Sequence, residues 1–98
     1  MAEQEKTMLL NAVKNYLRIT WDEEDAELAE MIDRGIAFFN IRGINVNFAE
    51  HKVAQQLLLD RCRYVRNYKA EEFENNFLSD ILNLQTSLLT VEGEEDGS

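Results

Sequence analysis

Proline is absent from this 98-residue chain, and glycine occurs only at positions 35, 43, 93 and 97. Helix breakers are therefore nearly missing from the first ninety residues, which favours an all-helical fold. A single cysteine, Cys62, excludes an intramolecular disulfide and a Cys-based zinc site. The single histidine, His51, has no second imidazole and no triad partner at a telling spacing. Apolar runs are short: the longest, Ile36 to Phe39, has four residues, where a membrane span needs about 20. The opening, MAEQEKTMLL, is charged and lacks an apolar stretch of signal-peptide length. These features predict synthesis in a reducing cytoplasm and no membrane partner. Basic residues are the scarcer charge, 10 against 19 acids, for a net charge of −9. An acidic chain is a poor whole-surface DNA binder, because phosphate contacts need Lys and Arg.

What remains is one domain's worth of amphipathic helix. A chain of this size buries roughly 60–68% of its unfolded surface, enough for a modest core. The pattern predicts a small bundle of about four helices over residues 1–90. A disordered acidic tail is expected over 91–98, where EGEEDGS holds Glu92, Glu94, Glu95 and Asp96 and no apolar residue. The first helix is expected over about Thr7 to Arg18, and the second from near Asp22 to Ile41. Two caps suit its start, Thr20 with Glu23 or Asp22 with Asp25, and Trp21 can staple the first turn. Gly35 inside the second helix points to close approach of a neighbour, and Gly43 to a helix stop. The third helix, capped by Asn47, runs to about Lys69 and the fourth from about Phe73 to Leu89.

Two charge clusters stand out. Asp22, Glu23, Glu24 and Asp25 crowd a helix start, where the helix dipole favours acids. The alternating ligands and central Gly of a calcium loop are missing there, so no metal is expected. Arg61, Arg63, Arg66 and Lys69 gather at the end of the third helix. They are either a patch for an acidic or phosphate-bearing surface, or a helix end satisfying its dipole and pairing with Glu71, Glu72 and Glu74. His51 is expected on a solvent-facing helix start and Cys62 in the core. No Gly-rich phosphate loop and no catalytic constellation is visible, so neither an enzyme nor a cofactor is expected.

The segment VKNYLRITWDEEDAELAEMIDRGIAFF, Val13 to Phe39, resembles the opening of the tailed-phage head–tail connector family, also called head-completion or DNA-packaging adaptors. The shared pattern is a helix end at Lys14, Tyr16 or Leu17, Arg18 and Ile19, then an acidic start at Asp22, Asp25 and Leu28. VAQQLLLDRCRYVRNY and ILNLQTSLL are similar to the family's later helices, so the resemblance covers about Val13 to Leu89. Many members carry a longer Gly/Pro-containing loop where this chain has NYKAEEFENN. The resemblance implies a structural protein of the virion head–tail junction, made in the bacterial host. It implies a ring of roughly a dozen copies joined by heterologous contacts. The portal protein would lie on one side and the next tail-completion protein on the other. Acids facing the channel would let DNA slide. On this reading Asp22, Glu23, Glu24 and Asp25 on one copy, and Arg61, Arg63 and Arg66 on the next, are the candidate subunit or portal contacts.

The alternative is a small acidic regulator or DNA mimic that binds a basic partner. A mimic needs spaced rows of acids, whereas these cluster at a helix start and in the tail. Sequence-specific nucleic-acid binding is not expected, because a groove-reading helix needs bases in its N-terminal half. Here NFAEHKVAQQ has only one Lys, beside one Glu.

Overall fold

The computed structural model is all-α. It describes residues 3–97, with side chains over 3–89. Where a disordered acidic tail was expected over 91–98, the backbone continues α5 as far as Gly97, and the side chains there lie outside those described. Five helices follow one another: α1 (Glu3–Leu17), α2 (Asp25–Ile41), α3 (Lys52–Arg66), α4 (Ala70–Asn76) and α5 (Leu78–Gly97). The single helix expected over Phe73 to Leu89 is thus two, interrupted at Phe77. The interruption is slight, since Phe77 N–H still bonds the Phe73 carbonyl at 2.9 Å and Ile81 N–H that of Phe77 at 2.9 Å. Asn75 and Asn76, weak helix formers, precede it.

Helix α3 packs against each of the other four. Its buried set, Ala54, Leu57, Leu58, Leu59, Asp60 and Cys62, covers most of the helix circumference, and Lys52, Val53, Gln56 and Arg63 are left exposed on the remaining face. From α1 come Leu9 and Val13, from α2 Leu28, Ile32 and Phe39, and from α5 Ile81 and Leu84. At Gly35 an added Cβ would lie 2.5 Å from Leu58 Cδ1. The glycine is therefore there for the α2–α3 approach that its position suggested.

Three helices end in one way. The N–H groups of Arg18, Gly43 and Tyr68 reach back three residues, and those of Ile19, Ile44 and Lys69 reach back five, to Lys14, Phe39 and Tyr64. These are Schellman endings, with the residue after the cap in the left-handed region. Its φ is 60° at Arg18, 82° at Gly43 and 60° at Tyr68. Ile19 and Ile44, next in line, turn back into the core at 4% and 0% exposure. The starts differ from expectation. Neither cap proposed for α2 forms: Glu24 stands at the cap position without a side-chain cap bond. Helix α3 starts at Lys52, capped by His51, whose Nδ1 accepts from Ala54 N–H at 3.2 Å. Asn47 instead stabilises the turn before it, its Oδ1 accepting from Ala49 N–H at 2.9 Å.

Only one of the three left-handed positions carries glycine. Tyr68 is 92% exposed, so removing its side chain forfeits almost no packing. Tyr68→Gly is expected to raise stability by up to about 1 kcal/mol through relief of the left-handed strain, read as a rise in Tm of a few degrees.

Candidate functional site

The acidic bend between α1 and α2 is wired to cations of its own chain. Lys14, in the last turn of α1, lies 2.6 Å from Asp22 Oδ1 and 2.8 Å from Asp25 Oδ1. Hydrogen bonds to Asp22 and then Asp25 raise its pKa. Glu24 accepts from Trp21 Nε1 at 2.8 Å and from Arg66 Nη2 at 2.9 Å. The Trp21 bond first, and the Arg66 bond second, hold its carboxyl below the usual range. Trp21 is tethered to Glu24, at the start of α2, by its ring nitrogen and is 44% exposed. Glu23 is exposed and makes no ion pair among the described residues.

The basic end of α3 splits three ways. Arg66 crosses to Glu24, joining two of the sequence-named clusters within one molecule. Arg63 stands 3.8 Å from Asp60, which is buried and accepts from the Tyr16 hydroxyl of α1. Gln56 Nε2 adds a longer bond to the same Asp60 oxygen at 3.4 Å. The Tyr16 hydroxyl's pKa is raised, chiefly by the bond to Asp60. Arg61 is half-buried and has no carboxylate in ion-pair reach among the described residues. Its guanidinium sits 4.8 Å from the Phe38 ring centroid, and Arg42 lies 3.6 Å from the same ring. Burial lowers the pKa of Arg61, and the charge of Arg42 adds to this. The structure thus joins Arg66 to Glu24 but gathers neither the three arginines nor the four acids into one free patch.

Glu71, Glu72 and Glu74 do not pair with the α3 arginines. Glu74 takes Arg42 in a two-pronged bond at 2.8 and 2.9 Å, and this lowers the Glu74 pKa. Sequence reading missed Lys14, Arg42 and above all Asp60. The one available signal for Asp60 was an acid directly after three leucines, LLLD, where a surrounded helix has no room for an unpaired charge.

Chemically, the described residues hold no group of three His, Cys, Asp or Glu side chains placed for a metal ion. Cys62 is 0% exposed and burial pushes its thiol up to about 11, which leaves it unreactive at neutral pH. No helix among the described residues is long and apolar enough to cross a membrane. Comparison with protein-family models, curated proteins and solved structures finds no match to this chain.

Two outcomes follow from the wiring. Folding lowers the pKa of Glu24 below its ordinary 4.5, so its contribution is complete above that value and is lost as pH falls through the folded-state pKa. Urea midpoints measured against pH should fall less steeply on the acid side for Glu24→Gln than for the parent. Tyr16→Phe leaves Asp60 without its hydroxyl donor in a buried site and should cost about 1–3 kcal/mol, measured by urea unfolding at neutral pH.

Proposed function

We propose that this chain is a structural head–tail connector of a tailed phage or prophage. Copies assemble as a ring of roughly a dozen beneath the portal and extend the DNA channel, with the next tail-completion protein on the far side. The observation that carries this reading beyond the sequence resemblance is the amount of apolar surface left outside. Ile41 is 82% exposed, Leu89 68%, Val53 56%, Met8 54% and Leu82 50%. These side chains lie on four different helices, and a subunit that packs against copies, a portal and a tail component can cover them.

In-chain pairing narrows the charge contacts between copies. Lys14 occupies Asp22 and Asp25, and Arg66 occupies Glu24. Contacts between copies then fall to Glu23 on one side and, on the other, to Arg61 and to Arg63, which stays 44% exposed beside Asp60. The same pairing leaves the acidic-regulator reading with fewer free acids to offer a basic partner.

Light scattering over a wide concentration range tests this directly. Growth toward a species of about a dozen subunits is the expected result. Glu23→Lys alone and Arg63→Glu alone should each weaken assembly, and the two together should restore it. A strict monomer at every concentration would remove self-assembly of the free chain and turn attention to the acidic regulator.

A further inference from the structure

Helix α5 has one buried stripe and a second, unpartnered one beside it. Ile81 and Leu84 face the core at 2% and 3% exposure, while Leu78, Leu82 and Leu89 stay 46%, 50% and 68% exposed. Leu78, Leu82, Gln85 and Leu89 follow one another at intervals of four, three and four, the spacing of a helix-pairing seam. Gln85 Nε2 donates to the Arg42 carbonyl at 2.7 Å. This bond ties the turn after α2 to the middle of α5, and Leu78, Leu82 and Leu89 stay exposed around it. From Ile81 to Val91 there is no charged residue, in a chain that is 30% charged. An exposed helix face without charge is the composition of an interface core, not of a solvated surface.

The occupant follows from spacing and charge. A seam of four-three-four spacing is filled by another helix. Residues 1–69 hold eleven acids and ten bases, whereas residues 70–98 hold eight acids and no base. Pairing α5 with α5 of a second copy in parallel would set segment 92–96 against itself. Antiparallel pairing would set it against Glu71 and Glu72. Both arrangements oppose like charges at the two ends of the seam.

We propose that the outer face of α5 docks an amphipathic helix of a different protein, one with an apolar stripe and Lys or Arg at its flanks. The inference stands whether or not the chain is a phage connector, and it concerns a surface separate from the Glu23 and Arg63 contacts.

The test uses the full chain and a labelled synthetic helical peptide with leucines at four-three-four spacing and lysines at its flanks, read by fluorescence anisotropy. Two control peptides keep its composition. One moves the leucines off the stripe, and one replaces the lysines by glutamates. The expected result is saturable binding of the first peptide, with both controls at least about tenfold weaker. Leu82→Ser with Leu89→Ser should also cost about tenfold or more, while circular dichroism stays unchanged because both side chains are surface-exposed. Tyr68→Ala should leave binding intact. Equal binding of the displaced-leucine peptide would reduce the effect to charge alone and overturn the proposal, as would no binding of the first peptide. Concentration-dependent self-association abolished by Leu82→Ser would overturn it differently, by making the seam a contact between copies. That result would leave the connector reading standing.

Discussion

A helix packed on four others must find a partner for any polar group it buries, and α3 is such a helix. It packs on α1, α2, α4 and α5, yet Asp60 sits in its middle. The cost of an unpaired buried carboxylate is several kcal/mol. Tyr16 from α1, with Arg63 and Gln56 of α3 itself, relieves it. That requirement fixes the rotation of α1 about α3. With α1 fixed, Lys14 reaches the acidic bend and Arg66 reaches Glu24, so the start of α2 is set from both flanking helices. On the far side of α3 the corresponding node is Phe73. Its ring meets Phe38, Phe39, Tyr64 and Phe77 at centroid distances of 5.9, 6.2, 5.7 and 4.8 Å. Helices α2, α3 and α4, and the joint before α5, therefore converge on one side chain.

These two nodes explain the short break at Phe77. A continuous helix from Ala70 would have to satisfy the Phe73 cluster and the α3–α5 contact with one axis. Ending α4 after Asn76 lets Phe77 stack on Phe73 while Ile81 and Leu84 turn into the core. The same adjustment sets which face of α5 is left over. With Ile81 and Leu84 directed inward, Leu78, Leu82 and Leu89 are left exposed.

The helical class, the burial of Cys62 and the role of Gly35 were legible in the sequence, because each rests on periodicity or on one residue's size. Leu9, Val13, Leu28, Ile32, Leu58 and Cys62 recur at helical spacing and are buried. Helix ends were read less well. Gly43 announces a left-handed turn, but Arg18 and Tyr68 adopt the same conformation without any residue preference to announce it. The fate of the charges was the least legible. Like-charge clusters were visible as clusters. Which cation each acid meets depends on tertiary placement: Glu24 and Arg66 are 42 residues apart, and Arg42 and Glu74 32 apart.

That placement changes what the acid run at 22–25 can mean. Read along the chain, it is four free charges and one helix dipole. In the folded molecule three of the four are shared with Lys14 and Arg66, and Glu24 also holds Trp21. Exposed ion pairs contribute little each. Here, though, they are coupled, because Lys14 serves two carboxylates and Glu24 serves two donors. The cluster is better understood as the clasp that orients α2 than as a free acidic surface. Apolar exposure along α5 has no such internal use. Among the described residues, α5 therefore carries an exposed aliphatic stripe, in a chain whose sequence is most conspicuous for its acids.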